Sequence, residues 1–195
     1  MKKIGIYGGT FDPIHLGHLI IAQSFLEQFA IDKCYFIPTK ISPFKTETHS
    51  YFSDEERVKM IEMSIANNPK FDIDSFEINN PEISYTINTI YHFRDNFPSC
   101  ELFLLIGFDQ AISFEKWKDN KRIIELANVV VAQRHHLFGS GHKLMEINKK
   151  FILLNNPVIG ISSTMLREKI NEKKSIRYFV ADAVWNFIEK EKYGQ

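Results

Sequence analysis

KIGIYGGTFDPIHLGHL, residues 3–19, carries the reading from which the rest of the fold follows. Its first five residues form a short apolar run of the kind that makes a buried strand. The stretch after it, Leu16 to Phe29, places Leu19, Ala22, Leu26 and Phe29 on one helical face. Between the two lie Gly8, Gly9, Thr10 and a pair of histidines, His15 and His18. Residues three apart are neighbours on the first turn of a helix, so the two imidazoles face the same way. Glycines after a strand let backbone amides approach an anion, and the following helix N-terminus adds its dipole. Taken alone, the pair is compatible with core histidines, metal ligands or an anion site. A catalytic zinc wants three protein ligands, usually with a helical pair at i, i+4, and no third ligand is signposted. Phosphate binding by two imidazoles and backbone amides fits the pattern best. The glycine spacing matches neither G-x-G-x-x-G nor G-x-x-x-x-G-K-[ST], which excludes the usual dinucleotide fingerprint and the P-loop.

Strand-like and helical runs continue to alternate. Further strands are expected at CYFIP (34–38), FDIDSFEI (71–78), ELFLLIG (101–107), NVVVAQR (128–134) and KFILLN (150–155). Ser53 and Glu56 have capping-box spacing before a helix with Val58, Ile61 and Ile65 on one stripe. Ser84 is the expected N-cap of a helix running through Ile87, Ile90 and Tyr91 to about Asn96, and two more helices are expected at 163–173 and 181–192. Such alternation predicts an α/β fold, a doubly wound parallel sheet with helices on both faces. Ligands of such sheets bind beyond the carboxyl ends of the strands, where the chain order switches sides.

The 195 residues suit one domain, with the C-terminal helical segment (about 163–195) part of it. Hydrophobic residues make up 44% and charged residues 25%, as in an ordinary soluble protein. Acidic and basic residues balance at 24 each, so no global field points to nucleic acid or to an anionic membrane. No run approaches the roughly 18 apolar residues of a membrane span, and the N-terminus lacks the apolar core of a signal peptide. Cys34 and Cys100 stand far apart, as reduced thiols of a cytoplasmic protein would.

GGTFDPIHLGHL (8–19) resembles the N-terminal signature of the nucleotidyltransferases that share the H-x-G-H motif. ISSTMLRE (161–168) resembles the I-S-S-T-x-[IL]-R signature of the same superfamily. ISYTINTI (83–90), LLIGFDQAISFEKW (104–117) and IRYFVADAVWNFIEKEKYG (176–194) are similar to segments of the bacterial nicotinate mononucleotide adenylyltransferases, so the resemblance covers nearly the whole chain. It implies a Rossmann-like nucleotidyltransferase fold. It also implies transfer of the adenylyl group of ATP to nicotinate mononucleotide, by direct attack and without a covalent intermediate.

Carried onto the matching positions, the resemblance implies an ATP site of Gly8, Gly9, Thr10, His15, His18, Gly107, Asp109, Arg134, Ser162, Ser163, Thr164 and Arg167. His18, His15 and Arg167 would be the catalytic members, with His18 the stabiliser of transition-state charge. Ser163 would otherwise be a plain N-cap, and Asp109 a helix cap. Lys45, Ser84, Tyr85, Thr86 and Trp117 would bind the mononucleotide, Trp117 by stacking on the pyridinium ring and the turn at 84–86 by receiving the carboxylate. Magnesium would be chelated by ATP phosphates, with no protein ligand assigned. A monomer or a homodimer is expected, without nucleic-acid or membrane partners. Alternatives are an adenylyltransferase for nicotinamide mononucleotide or another phosphate acceptor, and a silent nucleotide sensor.

The chain departs from the family pattern in three places. SPFK (42–45) replaces a P-P-H-K-like stretch, so Lys45 keeps a cation but Phe44 replaces a histidine. QRHHLFGSGH (133–142) replaces Arg-Pro-Gly, and its His135, His136 and His142 are read as a solvated loop rather than a metal site. Ala181 stands where a proline is common.

Overall fold

Residues 1–43, 50–133 and 149–193 are described by a computed structural model. In chain order they form β1 (Lys3–Gly9), α1 (Leu16–Phe29), β2 (Lys33–Pro38), α2 (Asp54–Ile65), β3 (Phe71–Ile73), α3 (Phe76–Asn79) and α4 (Thr86–Asn96). There follow β4 (Glu101–Gly107), α5 (Phe108–Ile112), a 3-10 turn (Phe114–Lys116), α6 (Asn120–Leu126), β5 (Asn128–Ala132), β6 (Ile152–Leu154), α7 (Ser163–Asn171) and α8 (Asp182–Tyr193). The strands form one sheet in the order β3-β2-β1-β4-β5-β6, every neighbouring pair parallel. The doubly wound sheet read from the sequence is therefore present, and its chain order reverses between β1 and β4.

The side chains of a strand alternate between its two faces, and here they sort into two cores. Phe103 and Leu105 of β4 join Ala22, Phe25 and Leu26 of α1, Met60 and Ile61 of α2, and residues of α7 and α8. Leu102, Leu104 and Ile106 join Ile87, Ile90 and Phe93 of α4 with Phe108, Phe114 and Ile123. Because β1 and β4 are covered on both faces, they carry apolar runs without polar alternation. Cys34 is buried in the first core and uncrosslinked, with burial pushing its thiol pKa well up.

Three local expectations are corrected. FDIDSFEI is strand only over its first three residues. Residues 76–79 make a helical turn that carries the Glu77 carboxylate inward, to 6% exposure. The helix after Ser84 starts one residue later than expected, with Tyr85 at the cap position. Its buried face is Ile87, Thr89, Ile90 and Phe93, while Tyr91 is exposed. In α2 the capping box forms, Ser53 Oγ accepting from Glu56 N at 3.2 Å and Glu56 Oε2 from Ser53 N at 2.7 Å. The buried residues of that helix, however, are Arg57, Met60, Ile61 and Ile65 rather than a face begun by Val58. Among the described residues no helix is long and apolar enough to cross a membrane.

Candidate active site

The carboxyl end of β1 opens into the turn that holds both histidines. His15 is the cap residue of α1 and is buried at 6% exposure. Its ring stacks on that of His18 with centroids 3.7 Å apart and planes 18° from parallel. The backbone N–H of His15 donates to His18 Nδ1 at 3.2 Å. With Nδ1 accepting, the neutral imidazole of His18 carries its proton on Nε2, which is then the ring's donor nitrogen. The edge of Phe11 packs on the His18 ring at 5.0 Å and fixes its tilt. Gly17 has a steric reason: a Cβ there would stand 2.9 Å from His15 Nδ1 and 3.4 Å from Ile159 Cγ2. The H-x-G-H spacing is thus a packing solution, in which the glycine makes room for the stacked ring.

A frame that the sequence reading did not pick out holds this turn from below. Arg57 is fully buried, and its Nη1 donates to Thr10 O at 2.6 Å while Nη2 donates to Asp54 Oδ1 at 2.5 Å. The two carboxylate oxygens of Asp12 accept from Tyr51 N at 2.8 Å and Phe52 N at 2.9 Å. The available signal was an arginine at i−4 and i−8 from Ile61 and Ile65, on the apolar side of an amphipathic helix.

The second signature comes to the same place from the far end of the chain. Ser162 caps α7, its Oγ accepting from Met165 N at 3.2 Å, so Ser162 and not Ser163 is the N-cap. Ser163 Oγ instead donates to Pro13 O at 2.9 Å. Arg167 Nη1 donates to Asp12 O at 2.8 Å and Nη2 to Thr164 Oγ1 at 3.2 Å. The Phe179 carbonyl accepts from Leu16 N at 2.9 Å, tying the segment before α8 to the start of α1. The N-terminal turns of α1 and α7 therefore converge. Gly8 and Gly9 end β1 beside them, and Thr10 follows with its carbonyl held by Arg57.

On the other side of β1 lies a cavity of about 290 Å³. Gly8 forms part of its wall, and a Cβ there would meet nothing among the described residues within 4 Å. Ser84, Tyr85 and Thr86 line it together with Trp117, so these four predicted residues are brought together. Among the described residues no side chain caps α4. Asn88 N bonds Tyr85 O at 2.9 Å, and the amides of Thr86 and Ile87 have no carbonyl ahead of them in the helix. Trp117 Nε1 is buried without a hydrogen-bond partner among the described residues. Glu77, absent from the sequence reading, also lines the cavity. Its Oε1 accepts from Thr89 Oγ1 at 2.6 Å. Burial raises its pKa above the ordinary glutamate value, against the opposing pull of the Thr89, Ser84 and Thr39 hydroxyls.

Gly107 and Asp109 lie at the carboxyl end of β4, next to the switch point. Gly107 N donates to Gln110 Oε1 at 2.8 Å, so Gln110 and not Asp109 closes the end of α5, and Asp109 is exposed. Lys45 and Arg134 lie outside the described residues, as do Phe44, His135, His136 and His142. Among the described residues no group of three or more His, Cys, Asp and Glu side chains is placed to hold a metal ion.

Comparison with known proteins points to one family. Residues 6–169 match the family model described as cytidylyltransferase-like. A protein of Lachnoclostridium phytofermentans named "Probable nicotinate-nucleotide adenylyltransferase" is 36% identical over 199 residues, covering 99% of each chain. One of the same name from Clostridium novyi is 36% identical over 202 residues, covering 97% of this chain and 98% of its own. The chain belongs to the nicotinate-nucleotide adenylyltransferase family. The family's fold extends to distant members. Plasmodium falciparum nicotinic acid mononucleotide adenylyltransferase complexed with NaAD superposes with a TM-score of 0.76 at 21% identity, over 98% of this chain and 96% of that one. The same enzyme complexed with APC gives 0.81 at 19% identity over the same shares. At those identities the superposition speaks for the fold, a Rossmann-like nucleotidyltransferase sheet.

Proposed function

We propose that this chain transfers the adenylyl group of ATP to nicotinate mononucleotide, forming nicotinic acid adenine dinucleotide and releasing pyrophosphate. The observation that carries the reading is the convergence of two signatures some 150 residues apart, through Ser163 Oγ on Pro13 O and Arg167 Nη1 on Asp12 O. Two helix N-termini, two histidines and a guanidinium around one space make a site for a polyphosphate. The adjoining cavity, with its uncapped helix end and tryptophan, suits a pyridine ring bearing an anion.

In this reaction a phosphate oxygen of the mononucleotide attacks the α-phosphorus of ATP. The bond from that phosphorus to the oxygen bridging to the β-phosphate breaks, and pyrophosphate leaves with its electron pair. Such transfers need positioning and charge stabilisation more than covalent chemistry by the protein. His18 Nε2–H donates to the charge that develops on the phosphates, and His15 holds it there by stacking and by its N–H to Nδ1. Arg167 spends two nitrogens on Asp12 and Thr164 and keeps further N–H groups for the leaving pyrophosphate. Ser162 caps with a lone pair, so its hydroxyl hydrogen remains for a phosphate oxygen. The hydroxyl hydrogen of Ser163 is spent on Pro13 O, so this residue contributes its backbone N–H. Gly8, Gly9 and Thr10 offer backbone amides, and Gly107 and Asp109 adjoin the nucleoside. Magnesium enters as part of the substrate, chelated by triphosphate oxygens and water. Trp117 stacks on the pyridinium, and the turn at Ser84, Tyr85 and Thr86 receives the carboxylate.

Pyrophosphate release measured side by side with nicotinate and nicotinamide mononucleotide tests the proposal. Higher kcat/KM with the acid is the expected result, whereas preference for the amide overturns the substrate assignment. ATP binding without turnover of either mononucleotide points instead to the sensor.

A further inference from the structure

The lip of the cavity carries a contact to which the proposed reaction gives no role. Lys118 Nζ stands 4.6 Å from the centre of the Tyr85 ring, within the range at which a ring face attracts a cation. Tyr85 is the residue from which α4 starts, and Lys118 follows the 3-10 turn and Trp117. The contact therefore bridges two walls of the cavity, and both residues line it. The described polar groups around them are weighted towards donors: the α4 amides, Trp117 Nε1 and the ammoniums of Lys116 and Lys118. Glu77 is the carboxylate of the described lining, and it is buried and engaged by Thr89. In a chain of zero formal net charge this is a local excess of positive potential, set where an anion would enter.

We infer that Lys118 is a specificity-determining residue: held over Tyr85 at the start of α4, its ammonium selects a pyridine mononucleotide bearing a carboxylate over one bearing a neutral carboxamide. The inference rests on the proposed function and deepens it. A helix N-terminus attracts an anion but also satisfies a carboxamide oxygen, so by itself it discriminates weakly. A net cation adds Coulomb energy to the acid alone. Tyr85 holds the flexible lysine stem near one position, which lowers the ordering cost that makes most exposed ion pairs weak.

The test is the KM of each mononucleotide in the pyrophosphate-release assay, for wild type, K118A, K118E and K118R. Lys118 is exposed, so these changes leave the cores untouched. K118A is expected to raise the acid KM about threefold to tenfold, in line with one partly exposed charge contact, while the amide KM stays within about twofold. The KM for ATP stays unchanged. K118E raises the acid KM further, K118R retains selectivity, and about 0.5 M salt narrows the gap between wild type and K118A. Equal changes for acid and amide, or no change for either, overturn the inference. A wild-type enzyme that uses no pyridine mononucleotide overturns the proposed function and this inference together. One that prefers the acid while K118A is indistinguishable from it overturns this inference alone.

Discussion

Replacing His18 with alanine removes two contributions of different size, and the geometry separates them. The first is structural. His18 Nδ1 accepts the His15 N–H at 3.2 Å, and without it the α1 N-terminus loses one capping bond. Such losses cost about 1 kcal/mol, which in a chain of this size lowers Tm by about 2–4 °C. The second is catalytic. In the proposed reaction the proton on Nε2 presents a preorganised donor to the phosphates, and removing such a donor typically lowers kcat by ~10²–10³-fold, or about 2.7–4 kcal/mol of transition-state stabilisation. Steady-state pyrophosphate release and a thermal melt on the same sample measure the two separately. His18→Asn places an amide oxygen near the His15 N–H without reaching the phosphates, so it is expected to recover stability and not kcat. The reasoning fails if His18→Ala keeps kcat within about tenfold of wild type with its fold intact.

Arg57→Leu leaves the Thr10 carbonyl and Asp54 without their buried guanidinium, and a loss of about 3 kcal/mol is expected in denaturant unfolding; a change under about 1 kcal/mol would show that the frame beneath the turn is dispensable. Trp117→Ala is expected to raise the mononucleotide KM more than the ATP KM, and the reverse order contradicts ring stacking. Glu77→Gln keeps an oxygen for Thr89 but cannot ionise. Burial holds the folded-state pKa of Glu77 above its unfolded value, so the wild type loses stability as pH rises from the ordinary glutamate range (~4.3) through the folded pKa. The stability of the Gln variant relative to wild type should therefore grow across that window, and parallel melt-versus-pH curves would refute the burial argument.

Family and sheet were legible in the sequence because both are written locally. An apolar strand without alternation, followed by glycines and an amphipathic helix, records burial on two faces, and β4 and β5 show it again. The two signatures are likewise short runs at strand-to-helix junctions. What the tertiary structure alone decided are the contacts between those runs. Nothing in ISSTMLRE says that Ser163 bonds Pro13 O or that Arg167 reaches Asp12 O, because these partners meet only after the sheet is wound. Arg57 and Glu77 were missed for a related reason. A charged residue reads as surface until burial and partners are known, and both gain theirs from another element: Arg57 from the β1 turn, Glu77 from α4. The cap of α4 was misplaced by one residue, Tyr85 for Ser84, and the alternative reading of Ser163 as an N-cap falls to Ser162, because several neighbouring residues suit a cap and packing chooses among them. Sequence thus determined which chemistry the chain carries. The winding of the sheet decided which atoms face each other, since hydrogen-bond partners and burial are properties of the packed chain and not of its segments.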